Sequence, residues 1–192
     1  MRIIGGNLRG TKLYSLEGDN TRPTLDRVKE SLFNMIQFDI QDVTFLDLFA
    51  GSGQIGLEAL SRGAKRVLFC DNSIEAISII NKNIEKTHMK ETTEVYNKSF
   101  DDLLKTLNKN QKEKIDIIYI DPPYKTDFAY ISTKLILEQK LIDENSIVIV
   151  ETDREDIIDK IEKLEQQENI EIYNKRKYGR AYLIFLRYRR KG

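Results

Sequence analysis

Five short strand-like segments along this chain, four of them apolar runs and one (Glu94–Asn97) mixed, are each followed by a stretch in which apolar residues recur at helical spacing. The segments are Val43–Phe49, Arg66–Cys70, Glu94–Asn97, Ile115–Ile120 and Ser146–Val150. The helical stretches that follow them close at Arg62, then cover Ser73–Lys86, Phe100–Leu107, Asp127–Gln139 and Glu155–Gln166. Strands that alternate with helices pair in parallel, because each helix carries the chain back to the start of the next strand. The last two runs, Ile170–Tyr173 and Tyr182–Tyr188, face each other across Gly179 and predict an antiparallel hairpin at the edge. Ahead of the first strand, Leu25, Val28, Leu32, Met35 and Ile36 predict a helix from Thr24 to Phe38. Pro23 stands at its start, where a missing N–H costs nothing. Residues 1–16 read as two short strands around Gly5-Gly6 and Gly10. The sequence thus predicts an α/β fold with a mostly parallel, doubly wound sheet of seven strands and an antiparallel C-terminal hairpin. A small N-terminal β-hairpin, residues 1–20, precedes the main domain at 21–192.

A length of 192 residues is enough for one domain with a proper core. No stretch approaches the roughly 18–20 uncharged apolar residues of a bilayer span, and Met1-Arg2-Ile3-Ile4-Gly5-Gly6 lacks the apolar core of a signal peptide. The lone cysteine, Cys70, excludes an internal disulfide and fits a reducing cytoplasm. With a lone histidine, His88, it cannot build a Cys/His zinc site, so no metal is expected. His88 reads as a surface residue near a helix end, and Cys70 as a packed strand residue.

Formal charge is zero overall but unevenly spread. Residues 1–30 carry a balance of +2 and residues 172–192 one of +8, so the body between them is acidic at −10. Basic ends on an acidic body suit localised phosphate contacts, although a solvated basic tail gives the same numbers.

Asp47-Leu48-Phe49-Ala50-Gly51-Ser52-Gly53-Gln54-Ile55-Gly56 follows the first run and opens a helix. Glycine there lets the backbone turn tightly and lets a ligand approach without meeting a Cβ, and the helix N-terminus offers free N–H groups. Asp71 ends the second run, the place of an acid that hydrogen-bonds ribose hydroxyls. This combination means an adenosine-containing cofactor, but Gly51-x-Gly53-x-x-Gly56 does not choose between NAD and S-adenosylmethionine.

Asp121-Pro122-Pro123-Tyr124 follows the fourth run, at the edge where open α/β sheets bind ligands. The prolines stiffen the turn and bring no N–H of their own, so the Asp121 carboxylate and the Pro122 carbonyl can serve as paired acceptors. An exocyclic base amine has two N–H donors and a lone pair delocalised into its ring. Two fixed acceptors hold it and favour a pyramidal nitrogen whose lone pair points at a methyl donor. Tyr124 offers a face for base stacking, worth about 1–3 kcal/mol. Transfer is an in-line displacement, so positioning dominates.

Together, Phe49-Ala50-Gly51-Ser52-Gly53 and Asp121-Pro122-Pro123-Tyr124 resemble the amino-methyltransferases, which use S-adenosylmethionine. The resemblance narrows with Arg2-Ile3-Ile4-Gly5-Gly6, Arg9-Gly10, Thr21-Arg22-Pro23-Thr24, Glu30 with Phe33-Asn34, and Gly56 to Ala64. These motifs are similar to the RsmD family, bacterial 16S ribosomal RNA guanine-N2 methyltransferases of Rossmann-like class I fold, over essentially the whole chain. The resemblance implies that Asp47, Phe49, Gly51, Ser52, Gly53, Asp71 and Asn72 bind cofactor. It implies that Asp121, Pro122, Pro123 and Tyr124 handle the base, and that Arg22, Thr24 and Asn34 lie beside them. Arg2, Arg9 and Lys12 become an RNA-contacting arm, or else a cap on the sheet. The partner implied is 16S RNA in an assembled or assembling small subunit, with no obligate protein partner. Where the family commonly has an aspartate near the adenine, this chain has Lys98-Ser99-Phe100-Asp101, so Ser99 and Phe100 are the adenine candidates, with Asp101 the alternative.

Three other functions compete. An NAD-dependent oxidoreductase gains from Tyr130-x-x-x-Lys134 but gives no account of the Asp121–Tyr124 turn. A DNA adenine-N6 or cytosine-N4 methyltransferase shares that tetrapeptide but usually carries a sizeable target-recognition region. A non-catalytic assembly factor has no need of Asp121 and Tyr124.

Overall fold

The computed structural model describes residues 1–16, 23–110, 115–123 and 125–189. Arg22 and Tyr124 lie outside these residues, as do the side chain of Thr24 and the basic tail beyond Arg189. The chain divides into two compact units, Met1–Ser99 and Phe100–Gly192.

The first unit contains α1 (Pro23–Met35), β1 (Thr44–Asp47), α2 (Gln54–Ser61), β2 (Arg66–Asp71), α3 (Ile74–Thr87) and β3 (Thr93–Asn97), with a single 3-10 turn before β3. Its strands run in the order β3-β2-β1, all parallel, with Phe45 opposite Val67 and Phe69 opposite Val95. Strands β1 and β2 bury Phe45, Leu46, Val67, Leu68 and Phe69 under the helices, a continuous apolar run of the kind that parallel strands covered on both faces require. At the edge of this unit's order, β3 is only half-buried, and its sequence signal is correspondingly weak.

The second unit contains α4 (Phe100–Asn110), β4 (Ile117–Ile120), α5 (Phe128–Glu138), β5 (Ile147–Thr152), α6 (Glu155–Gln167), β6 (Ile170–Tyr178) and β7 (Ala181–Tyr188). Its order is β4-β5-β7-β6, in which β4 and β5 are parallel and β7 is antiparallel to both of its neighbours. Strand β6 runs five residues past the Tyr173 limit that apolar spacing suggests. Lys175, Arg176 and Lys177 are exposed on this edge strand, and their backbone is held in register against Ile184, Leu183 and Tyr182 of β7. Cationic side chains and the irregularity between Ile172 and Asn174 also blunt the edge against pairing with another chain.

Helix α1 ends at Met35, short of the predicted Phe38. The chain turns there, and the Phe38 ring is 89% exposed.

The N-terminal hairpin pairs over a short reach, closed by the bridge between Arg2 and Lys12 and by bonds from Ile3 N to Thr11 O (3.0 Å) and Leu13 N to Met1 O (3.0 Å). Longer strands do not form because several backbone donors go elsewhere. Ile4 N–H donates to Glu58 (2.8 Å), Asn7 N–H to the Ser61 carbonyl (2.8 Å) and Leu8 N–H to Ser61 Oγ (2.9 Å). Gly6 sits at φ 71°, where a Cβ would lie 1.7 Å from the Ser61 carbonyl oxygen, so the hairpin rests directly on the end of α2.

Gly56 sets how closely α2 approaches β2. A Cβ at this position would fall 2.3 Å from Phe69 Cε1 and 2.7 Å from Val67 Cγ1. Alanine in a helix interior normally gains about 1 kcal/mol over glycine, whereas overpacking a rigid contact costs about 1–3 kcal/mol. Gly56→Ala is therefore predicted to lower the urea midpoint, and a raised midpoint would mean that the helix yields without penalty.

Candidate active site

Three carboxyl strand ends of the first unit are tied together by hydrogen bonds. The turn after β1 carries Gly51 (φ 54°) and Gly53 (φ 76°), both in the left-handed region that a side chain rarely adopts. The Gly51 N–H donates to one carboxylate oxygen of Asp71 (2.9 Å), and the Ser73 N–H donates to the other (2.9 Å). The Asp71 carbonyl accepts from Asn97 Nδ2 (3.1 Å) and Lys98 N (3.2 Å), which draws the end of β3 to the end of β2 just before Ser99. A Cβ on Gly51 would meet nothing within 4 Å, whereas one on Gly53 would press on Ile80 and Phe69 at 3.3 Å. The first glycine of the turn thus faces open space, while the second and third face packed side chains.

Asp47 is 1% exposed beneath this turn and accepts from Gly56 N–H (3.1 Å). Burial pushes its carboxyl up to about 7; the Gly56 bond works against this, and the charge of Asp71 adds to it. Because the folded protein holds this proton to higher pH than the unfolded chain does, the associated stability is full below about pH 4. It is lost as pH rises towards 7. Asp47→Asn keeps an acceptor for Gly56 and removes the titration. On acidification from pH 8 to pH 5.5, the wild type should therefore gain stability relative to the variant, by at most about 1.4 kcal/mol per pH unit. Parallel stability–pH curves would show that Asp47 does not titrate in this range.

The remaining cofactor candidates have simple placements. Ser52 is buried in the turn, Phe49 half-buried before it, and Asn72 exposed after β2. Ser99 and Phe100 are half-buried where β3 gives way to α4, and the Phe100 ring packs on Phe128 with centroids 5.0 Å apart. Asp101, the alternative to Ser99, is engaged by Lys105 one turn along α4 (2.9 Å). Cys70 is buried in β2, and His88 is exposed, capping α3 at φ 57°.

In the second unit, Asp121 is exposed directly after β4, Pro122 is half-buried and Pro123 exposed. Thr126 Oγ1 donates to the Pro123 carbonyl (2.8 Å), and the following residues are clamped to α6. Arg154 donates to the Thr126 carbonyl (2.8 Å) and pairs with Asp127 (2.9 Å), which Lys160 also meets (2.6 Å). Those cations, Lys160 foremost, hold the Asp127 carboxyl below the usual carboxylate range. Lys125 takes φ 68°, a strained value for a residue with a side chain, at the point where this clamp turns the chain into α5. Inside the strands, Tyr119 OH donates to Glu151 (2.5 Å), binding β4 to β5 beneath the proline turn.

Of the RNA candidates, Arg2, Arg9 and Lys12 are exposed on the hairpin, and Asn34 is exposed on the last turn of α1. The residues that fix the hairpin are Lys29 together with Glu58 and Arg62, which enter the sequence reading only as part of the Gly56–Ala64 motif. Glu58 and Lys29 form a buried pair (3.7 Å), Arg62 meets Glu58 at 2.8 Å, and Lys29 Nζ also donates to the Arg2 carbonyl (2.7 Å). Asn83 was overlooked. It lies on the buried stripe of α3 with Ala76, Ile80, Ile84 and Thr87, and a polar residue at an apolar position was the available signal.

Strand order within each unit, the glycine turn at the end of β1 and the acid at the end of β2 define a class I methyltransferase fold, a mostly parallel sheet of seven strands with antiparallel strands at its C-terminal end. Residues 1–187 match the family model described as Conserved hypothetical protein 95. Ribosomal RNA small subunit methyltransferase D of Haemophilus influenzae is 38% identical over 156 residues, covering 81% of this chain and 80% of that protein. Among solved structures, the yhhF protein of Escherichia coli superposes with TM-score 0.79 at 26% identity, covering 98% of this chain and 97% of that one. The O-methyltransferase of Bacillus cereus, solved with SAH, shares the fold at TM-score 0.73 and 16% identity, covering 91% of this chain and 84% of that one. The chain belongs to the Conserved hypothetical protein 95 family, the family of the ribosomal RNA small subunit methyltransferases D.

Proposed function

We propose that this protein transfers the methyl group of S-adenosylmethionine to the exocyclic 2-amino group of a guanine in 16S ribosomal RNA, on assembled or assembling small subunits in the cytoplasm. The observation that carries the reading is the glycine turn. Gly51 is held at positive φ by the Asp71 carboxylate and has open space where a Cβ would stand. A ligand can reach that backbone, and the fit holds for an adenosine-containing group. Phe49, Gly51, Ser52 and Gly53 would hold its amino-acid end, Asp47 would support the turn from below, Asp71 and Asn72 would take the ribose, and Ser99 with Phe100 the adenine. When bound, the cofactor supplies an electrophilic methyl group. Family membership supports methyl transfer to ribosomal RNA over hydride transfer.

The chain's own part is to bind and orient an amine. The Pro123 carbonyl is taken by Thr126, so the acceptor pair assigned to the amine is the Asp121 carboxylate and the Pro122 carbonyl. Tyr124 is the residue the family resemblance assigns to stacking on the base, and Arg22, Thr24 and Asn34 are those it assigns to the substrate. A paired guanine has to be flipped out to reach such a site, which suits a target presented by a partly folded ribonucleoprotein. Arg2, Arg9 and Lys12, exposed on a hairpin whose backbone is fixed to α2, serve as phosphate contacts. Replacing all three should make the salt dependence of subunit binding shallower by up to about three in log–log slope, with the affinity gap widest at low salt. An unchanged slope would assign the hairpin to capping alone.

The test of the reading is nucleoside analysis of small-subunit RNA from a host lacking the gene. One N2-methylguanosine should disappear, return with the wild-type gene and stay absent with Asp121→Ala. A missing N6-methyladenosine instead would move the activity to another base.

A further inference from the structure

Asn83 has no solvent exposure and spends its side-chain amide on two separate elements. Its Oδ1 accepts from Tyr14 N–H (2.8 Å) and its Nδ2 donates to the Tyr14 carbonyl (3.0 Å), so the side chain pairs with the hairpin as a neighbouring strand would. The same Nδ2 donates to the Ser52 carbonyl (2.9 Å), inside the glycine turn between Gly51 and Gly53. One rigid amide thus fixes the end of the hairpin and the middle of the turn. A second contact joins the same two elements: Ser52 Oγ donates to Met1 Sδ (3.3 Å), and Met1 is bonded to Leu13 across the hairpin. The hairpin has a handle at its surface. Tyr14 is 50% exposed with Lys86 Nζ 4.6 Å from its ring centroid, and it lies two residues beyond Lys12.

Resting on the cofactor reading above, we propose that Asn83 is a positioning residue that couples the N-terminal hairpin to the cofactor turn. Filling the turn orders the hairpin, and anything that grips the hairpin tightens the turn. The coupling is reciprocal by linkage, so the arm that meets RNA and the loop that meets cofactor act cooperatively. A merely structural asparagine would loosen both elements equally, with or without ligand. A coupling residue changes what the ligand does at a distance.

The experiment is backbone hydrogen exchange with and without S-adenosylhomocysteine, on the full chain, with affinity measured by calorimetry. In the wild type, ligand should slow exchange in the turn and also at Ile3, Leu13 and Tyr14. In Asn83→Ala the turn should still be protected while the added hairpin protection is lost, and ligand affinity should fall by about 5- to 20-fold, within the usual range for such coupling. Tyr14→Pro deletes one of the Asn83 bonds from the exposed side and leaves the buried amide in place, so it should give the same separation should Asn83→Ala fail to fold. Hairpin protection that persists in Tyr14→Pro, or that is absent from a wild type that does bind the ligand, overturns the coupling alone. A wild type that takes up no S-adenosylhomocysteine overturns the cofactor reading and this inference with it.

Discussion

Asp121→Ala is expected to lower the rate of methyl transfer by roughly 10²–10³-fold or more, the range seen when one preorganised polar group is removed from a reacting centre. Cofactor affinity should stay at its wild-type value. Asp121 stands directly after β4, on a strand whose residues Ile117, Ile118, Tyr119 and Ile120 are all buried, so its backbone has little freedom. Stiffness continues through Pro122 and Pro123, and Arg154 and Lys160 fix the residues beyond by clamping Thr126 and Asp127 to α6. A carboxylate held in this way is suited to accept one N–H of a base amine as the nitrogen becomes cationic. That interaction is stronger in the transition state than in the ground state, so its loss should fall on kcat and on kcat/KM alike. Asp121→Asn, which keeps an acceptor and loses the charge, should fall between the two. Loss of cofactor binding in Asp121→Ala would contradict the assigned role.

Glu58→Ala should be strongly destabilising, by about 3–5 kcal/mol, because it breaks a buried ion pair by removing one partner. Glu58 has no exposed surface and Lys29 only 3%. With the carboxylate gone, Lys29 keeps the Arg2 carbonyl as acceptor but loses the buried Glu58 carboxylate, Arg62 loses its contact at 2.8 Å, and Ile4 N–H loses its acceptor. The hairpin should detach first, so exchange of its amides should rise before the core melts. Glu58→Gln retains an acceptor for Ile4 and should be milder. A urea titration settles the matter: a loss under about 1 kcal/mol would mean that Lys29 relaxes into solvent and that the pair is not structural.

Sequence and structure agree where a local rule decides the outcome. The continuous apolar runs of β1, β2, β4 and β5 are buried strands, so their signal was undiluted. Gly51, Gly53 and Asp71 were legible because a positive φ and a strand-end acid leave marks on sequence at fixed spacing. Strand β6 was seen only to Tyr173, because Lys175 to Lys177 are held by hydrogen bonds to β7 and bury nothing. The end of α1 at Met35 was not legible because the apolar spacing runs on to Ile36, which the turn after the helix also buries. The pairing of Lys29 with Glu58 and the partners of Asn83 were illegible for another reason. Each joins residues far apart in the chain, such as Asn83 with Tyr14, and no periodicity reports a pairing across that separation.

Methylation of a base amine in ribosomal RNA with S-adenosylmethionine as donor is checked by tritium transfer from methyl-labelled S-adenosylmethionine to purified small subunits lacking the modification, followed by nucleoside analysis. Label recovered in N2-methylguanosine is the predicted result, and it reports cofactor, reaction and base together. Cofactor binding with no label entering small-subunit RNA would contradict the substrate while leaving the glycine turn as read, and would direct the search to DNA or another RNA.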